Sequence, residues 1–378
     1  MINIIISAYI ASSIPQLIFL NTLELGVDKV GIAMAIYTSP ALLFASLLGK
    51  ISDKISTKLI LITSNIINII ILLLYLLSQK ELVFYIMLLV LSSINLLIQI
   101  NSWVFIAKEF DDESSVVKYN STMSLYMTLA MIISPLINSF IVKYNNKYMI
   151  FTLLITLSIF SFIISFLLPI RNESKEVFND ESKNNIGALK ILFSSKALII
   201  VILSTILINL AFSIINIIIV PYLISIGTQE YIAITYGSFF SIGSIAASLY
   251  LREYKINDFS RFCIYSIVMP IVIFFFSILF KNYMIVFVGL ILIALSRTFG
   301  ATIRTTIQQQ NIPEASMGTV IGVCTTITWG INPIGSIIAG TSSNYISAIK
   351  LILIACFLLF LGSILMIFLR NYWSNSKR

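Results

Sequence analysis

The chain contains no histidine, little charge and few cysteines, and each shortage excludes a class of function. Without histidine, neither a His-ligated metal centre nor a His-based proton relay is available. Charged residues make up only 11% of the 378 residues, against roughly 25% in soluble domains. The three cysteines, Cys263, Cys324 and Cys356, all fall in apolar runs, which favours small core residues over disulfides or metal ligands.

Apolar residues dominate the chain, which is 58% hydrophobic with a mean hydropathy of +1.01. Because a membrane-spanning helix needs ~20 apolar residues, the pattern predicts an all-α integral membrane protein with twelve transmembrane helices. These spans are predicted at 2–22, 29–49, 57–79, 82–107, 116–142, 148–170, 197–224, 231–250, 262–280, 283–303, 315–340 and 348–369. No ATP-binding loop, metal cluster or nucleophile–base pair is evident, so we expect neither an enzyme nor a cofactor or metal.

The basic residues fix the orientation of these spans, since cytoplasmic loops carry the excess of Lys and Arg. With the loop after the second span in the cytoplasm, seventeen of the 24 basic residues are cytoplasmic and Arg297 lies inside a span. The six on the opposite face are Lys29, Lys80, Lys143, Lys147, Lys281 and Lys350. We therefore expect a multi-pass protein of the cytoplasmic (plasma) membrane with both termini cytoplasmic. The net charge of +8 reflects these loops and predicts no nucleic-acid partner.

A polar stretch divides the chain into two halves that repeat one another. The prediction is an N-terminal six-helix bundle (1–170), a cytoplasmic linker (171–196) and a C-terminal six-helix bundle with a short tail (197–378). Pro135 and Pro333 follow Ser134 and Asn332 in matching spans, 198 residues apart, which predicts a helix-bending repeat pair. Transporters built from such repeats bind substrate near mid-membrane, where the halves meet.

A short charged segment, Gly49-Lys-Ile-Ser-Asp53-Lys54-Ile-Ser-Thr-Lys58, separates the second and third spans. These charges must lie at a membrane surface, because hydrocarbon does not solvate them. The spacing resembles the loop between helices 2 and 3 of the major facilitator superfamily. The resemblance implies alternating access in which Gly49, Asp53, Lys54 and Lys58 form a conformational gating motif, with Asp53 facing the N-terminus of helix 11. The alternative is that these charges only set topology.

A second segment, Gln308 to Gly322, is similar to the junction of helices 10 and 11 in macrolide-efflux-type members. That similarity implies export of an amphipathic or hydrophobic small molecule, with proton antiport left open. Two features depart from the proton-linked members. Ser134-Pro135 matches the helix 5 antiporter signature only in part. The arginine that many proton-linked members have in helix 4 is missing from this sequence.

Polar residues in the helices that line the family's cavity are the substrate-site candidates, namely Gln16, Asn95, Gln99, Trp103, Asn209, Asn216 and Arg297. Each could instead bond across helices as structural glue. Arg297 could bind an anionic substrate, act as a fixed counter-charge, or reach the membrane surface. Glu24 and Asp28, at the extracellular ends of the first two spans, are candidates for proton coupling or plain solvated loop residues.

The function predicted from sequence is therefore a secondary active transporter working by alternating access, exporting a drug-like compound. Two alternatives remain open: import of a small polar or anionic solute, and a non-transporting membrane scaffold or immunity protein. The partners expected are a small-molecule substrate and the lipid bilayer, with protons as an open coupling ion, and the protein is expected to be a monomer.

Overall fold

The computed structural model describes residues 2–44, 47–48, 51–52, 55–109, 113–144, 146–167, 191–253, 259–312 and 317–370. In these residues every regular element is helical. The first half contains α1 (Ile2–Thr22), α2 (Val27–Thr38), α3 (Pro40–Leu43), α4 (Thr57–Ser78), α5 (Glu81–Glu109), α6 (Glu113–Lys143) and α7 (Lys147–Leu167). The second half contains α8 (Lys196–Ser225), α9 (Glu230–Ala233), α10 (Tyr236–Glu253), α11 (Phe259–Phe262), a π-helix (Cys263–Val268), α12 (Met269–Leu279), α13 (Tyr283–Asn311), α14 (Met317–Trp329), α15 (Ile331–Ser342) and α16 (Ala348–Ile367).

Ten stretches of the described chain are helices long and apolar enough to cross a membrane, and they match ten of the twelve predicted spans. The predicted spans 29–49 and 315–340 are each divided between shorter helices. In the first, the break falls at Ser39, before Pro40, whose ring nitrogen cannot donate to the Ile36 carbonyl. The Ser39 hydroxyl donates to that carbonyl instead, at 2.9 Å. In the second, the break is at Gly330, since Pro333 cannot continue the hydrogen-bond ladder back to Trp329.

The two prolines of the predicted repeat pair have different surroundings. Pro135 lies inside the continuous helix α6, whereas Pro333 lies in the first turn of α15, directly after a helix break. That both bend their helices stays a prediction.

The described chain forms two compact units. Unit 1 contains Met1–Leu25 and Ile36–Val177, and unit 2 contains Gly26–Ala35 and Phe178–Arg378. The first residues of α2 thus group with unit 2. The predicted domain boundaries at 170 and 196 stay predictions.

Buried side chains hold the helices of unit 1 together through hydrogen bonds. The Asn3 amide donates to the Ser165 hydroxyl at 2.9 Å, and Ser161 donates to the Asn3 carbonyl oxygen at 3.0 Å. Asn65 of α4 also donates to Ser165, at 3.3 Å. All four residues are buried. Since lipid offers no partner to a polar group, this network ties α1, α4 and α7 at fixed positions.

Each unit contains an equivalent polar contact, which supports the internal repeat. In unit 1, the hydroxyls of Ser13 (α1) and Ser134 (α6) are 2.8 Å apart. In unit 2, Ser213 (α8) donates to the Asn332 side chain (α15) at 3.3 Å. Positions 13 and 213 are 200 residues apart and positions 134 and 332 are 198 apart, so nearly the same offset relates both partners. Two pseudo-symmetric helical bundles are the consequence.

Many hydroxyl groups in the spans are satisfied by their own helix. Ser102 donates to the Ile98 carbonyl at 2.6 Å, Thr205 to Val201 at 2.6 Å, and Thr328 to Cys324 at 2.9 Å. In each case the acceptor is the carbonyl four residues earlier, which already accepts the backbone bond. These hydroxyls therefore need no partner on a neighbouring helix.

Helices α10 and α13 approach closely at Gly243. A Cβ atom built on Gly243 would lie 2.1 Å from the backbone oxygen of Ile291 and 3.0 Å from the Ala294 Cβ. Only glycine allows this approach, which is typical of helix contacts in membranes.

We therefore expect Gly243→Ala to destabilise unit 2 by about 1–3 kcal/mol, because the added methyl group must push two backbones apart. The measurement is thermal unfolding of the purified protein in detergent. Ala246→Leu is the matched control, since Ala246 is exposed on the same helix and added atoms there meet no backbone. Equal unfolding temperatures for Gly243→Ala and the unchanged protein would contradict the close approach.

Candidate functional site

The predicted gating motif falls largely outside the described residues, as Gly49, Asp53 and Lys54 do. Lys58 is described, in the first turn of α4, with its ammonium nitrogen 5.7 Å from the centre of the Phe166 ring. This distance suits a cation–π interaction between α4 and α7 at the membrane edge. Gating by this motif stays a prediction.

Gln16 lies inside unit 1 and makes a contact within it. Its side chain is 2% exposed, and its amide oxygen accepts a hydrogen bond from Asn138 at 3.4 Å. The pair joins α1 to α6, as the neighbouring Ser13–Ser134 contact does. Burial and this hydrogen bond favour a role for Gln16 in helix packing over a contact with substrate.

Asn95, Gln99 and Trp103 follow one another at four-residue spacing along α5 and form its polar stripe. Asn95 and Gln99 are half-buried, and only some of the hydrogen-bonding groups of Asn95 have partners. Asn95 accepts a hydrogen bond from Ser7 at 2.8 Å, while its Nδ2 donor has no partner among the described residues. Gln99 follows one turn later on the same face and is also half-buried. The third member of the stripe, Trp103, lies in α5, but its side chain is outside the described residues. A buried donor with no partner is uncommon and costly, so this stripe can accept a further ligand.

In unit 2, two asparagines seven residues apart on α8 have opposite surroundings. Asn209 is buried and donates to the backbone oxygen of Thr328, at 2.8 Å. Asn216 is exposed, although every other residue from Ala211 to Val220 is buried. Two helical turns separate the pair, so both side chains lie on one side of α8. Asn209 thus joins α8 to α14 by a hydrogen bond, whereas the amide group of Asn216 is exposed.

Arg297 is enclosed by two aromatic rings of unit 2. Its guanidinium carbon is 4.5 Å from the centre of the Phe212 ring (α8) and 5.6 Å from that of Phe240 (α10). The two rings meet edge to face, with centres 5.6 Å apart. The negative faces of aromatic rings stabilise a cation that lipid would not. Arg297 therefore packs within unit 2, whereas the sequence left open a substrate contact, a counter-charge or an approach to the membrane surface.

A second arginine, Arg304, lies in the same helix and was missed by the sequence reasoning, which ended this span at residue 303. Helix α13 continues to Asn311, and Arg304 is only 6% exposed. Two signals could have indicated this. No Gly or Pro interrupts residues 301–311, and Ile303 and Ile307 continue the apolar spacing of a buried helix face.

The two candidate carboxylates are near the membrane edge. Glu24 is exposed in a short 3₁₀ turn after α1, and Asp28 is half-buried in the first turn of α2. Their part in proton coupling stays a hypothesis. In the described chain, no group of three or more Cys, Asp or Glu residues could hold a metal ion.

The fold and these polar positions define a polytopic helical membrane protein built from two repeated units. A sequence model of the major facilitator superfamily matches residues 1–331, and the chain belongs to that superfamily. It is therefore a secondary transporter that works by alternating access, and not an enzyme. Among curated proteins, none matches the sequence.

Solved structures of several transporters have the same fold. The nucleoside transporter NupG is 16% identical, with a TM-score of 0.73 over 100% of this chain and 98% of that one. A D-xylose–proton symporter is 13% identical, with a TM-score of 0.70 over 97% and 95%. A bacterial homologue of the human lysosomal transporter Spinster is 12% identical, with a TM-score of 0.69 over 100% and 95%. At such low identities the likeness concerns the fold alone.

The contrast between the two asparagines of α8 gives a stability prediction. We expect Asn209→Leu to lower the free energy of unfolding by about 1 kcal/mol, because the Thr328 carbonyl loses its buried donor. Asn216→Leu, the matched control, removes no bond within the unit and leaves stability nearly unchanged. Thermal unfolding of both variants in detergent measures the difference. Equal losses at the two positions would show that Asn216 also has a structural partner.

Proposed function

We propose that this transporter exports an uncharged amphipathic small molecule, held by the amide group of Asn216. The observation that carries the proposal is the exposure of Asn216 in a stretch of α8 that is otherwise buried. A primary amide facing hydrocarbon is unfavourable by several kcal/mol. An exposed amide inside a membrane-length helix is therefore better explained by contact with water or substrate than by contact with lipid.

The charges of the described chain favour an uncharged substrate. Every described acidic residue is in a turn or within two residues of a helix end, and none lies in the middle of a span. These residues are Glu24, Asp28, Glu81, Glu109, Glu113, Glu230 and Glu253. Arg297 packs against two phenylalanines of its own unit. An amide that both donates and accepts hydrogen bonds, set among apolar side chains, suits a molecule with a few polar groups on an apolar body.

The direction of transport rests on the sequence resemblance of residues 308–322 to efflux members. Import of a small polar or anionic solute is the alternative, and the solved structures of the same fold include a nucleoside transporter and a D-xylose–proton symporter. Since those likenesses concern the fold alone, accumulation measurements must decide the direction.

The test is accumulation of a panel of fluorescent and macrolide-type compounds in pump-deficient bacteria that express the chain. We expect lower accumulation of at least one compound, reversed by a protonophore. Asn216→Leu should slow export roughly five- to 150-fold and return accumulation towards the empty-vector level, because a lost polar contact in a dry site is worth about 1–3 kcal/mol. Ser225→Ala is the matched control, since Ser225 is exposed on the same helix and its hydroxyl group donates to the Tyr222 carbonyl of that helix.

Other results would point elsewhere. Higher accumulation with the intact chain would favour import. No change for any compound, together with a phenotype that survives Asp53→Asn, would favour a non-transporting scaffold. Loss of transport in Asp53→Asn with normal membrane levels would support gating by the charged segment between α3 and α4.

Coupling to protons is tested separately at the two membrane-edge carboxylates. If Glu24 or Asp28 carries the proton, then Glu24→Gln or Asp28→Asn removes transport driven by an imposed pH gradient and leaves exchange of labelled substrate intact. The measurement is uptake into proteoliposomes with and without the gradient. Gradient-driven transport that persists in both variants would exclude these carboxylates.

A further inference from the structure

Unit 2 contains a small cavity with two arginine side chains in its wall. The cavity lies between α8, the π-helix with α12, α13 and α16, and both Arg297 and Arg304 line it. The space open to the centre of a water-sized sphere is about 10 Å³, close to that needed by one water molecule. Apart from the arginines, Gly300 and two serines, the lining is isoleucine, leucine and phenylalanine.

The wall of this cavity carries positive charge from two arginines of one helix. Arg297 and Arg304 are seven residues apart, so they lie on one face of α13, about 10 Å apart along the helix axis. No acidic residue lines the cavity. Two cations on one face of a spanning helix repel each other and are poorly solvated, which normally requires a partner or water.

The partners that the structure gives these arginines are weak. Arg297 has the faces of Phe212 and Phe240. Arg304 is nearly fully buried, and its Nη1 donates to the Met366 sulfur at 3.4 Å, a weak acceptor. Gly300, one turn before Arg304, leaves room for this guanidinium, since a Cβ there would lie 3.1 Å from Nη1. Neither the aromatic faces nor the sulfur atom neutralises the positive charge of a guanidinium group.

Two serines also line the cavity. Ser296 donates its proton to the Ile267 carbonyl at 2.8 Å. Ser363 of α16 is also buried in the cavity wall. The hydroxyl group of Ser363 and two guanidinium groups thus line one small space.

From this donor set we propose that the cavity of unit 2 binds one monatomic anion of the halide class, chloride under physiological conditions, between Arg297 and Arg304. An anion there offsets positive charge in the cavity wall, where Arg304 is buried, and accepts hydrogen bonds from the guanidinium groups. The size of the space selects the class. An ion a little larger than water fits with small side-chain shifts, whereas phosphate, sulfate or an organic carboxylate does not. The site is separate from the Asn216 amide proposed to hold the transported molecule.

The test is thermal unfolding of the purified full-length protein in detergent, with chloride exchanged for gluconate at constant ionic strength. We expect the transition temperature to rise with chloride or bromide and to saturate, because a bound ion stabilises the folded state by mass action. Sulfate should give no such rise. A transition that is the same in chloride, bromide and gluconate would overturn the proposal.

Two variants assign the effect to this cavity. Arg304→Gln should lose the saturable response to chloride, whereas Arg370→Gln, the same change at an exposed arginine, should retain it. An equal response in both variants would place the ion elsewhere and overturn the assignment. Should Arg304→Gln fail to fold, anomalous scattering from bromide-soaked crystals of the unchanged protein decides the question. A peak between the two guanidinium groups supports the site, and its absence overturns it.

Discussion

The bilayer cannot hydrogen-bond a peptide group, and this constraint governs the rest of the structure. Every backbone donor and acceptor inside the membrane must find a partner in the chain, which leaves helices as the means of crossing. Where a proline prevents this, the structure supplies a substitute. The Ser39 hydroxyl donates to the carbonyl that Pro40 cannot serve, and the ladder is broken at Gly330, ahead of Pro333. At these two breaks of the described chain, the interrupted helix thus has a substitute hydroxyl donor or a glycine.

The same constraint separates structural from functional side chains. A polar group in a span is acceptable if its unit satisfies it, as with Asn209 and the Thr328 carbonyl or Asn3 with Ser161 and Ser165. A group left open, such as Asn216, is expensive unless water or a ligand completes it. Identical residues two turns apart on α8 therefore have different surroundings, and burial with hydrogen bonding distinguishes them where residue type cannot.

Most of the fold follows from the sequence, because hydropathy and length report directly on membrane crossing. Ten of the twelve predicted spans match helices long enough to cross a membrane, and the other two are each divided between shorter helices. The superfamily that the Gly49–Lys58 segment resembles is the one whose sequence model matches residues 1–331. The site was less predictable. The predicted span ended at residue 303, before the basic Arg304. Helix α13 continues past Arg304, because this side chain lies in a cavity wall and not in lipid. Nor could spacing foretell that Arg297 packs against Phe212 and Phe240, which belong to two other helices.

The hydroxyl groups bonded within their own helices have a consequence for movement. A serine or threonine that hydrogen-bonded to a second helix would join the two helices, and this bond would have to break whenever the helices shifted. Ser102 and Thr205 donate to carbonyls of their own helix. At such positions a helix can shift against its neighbour without breaking the hydrogen bond that the hydroxyl group donates, whereas the bond from Asn209 to the Thr328 carbonyl must break before α8 and α14 can separate.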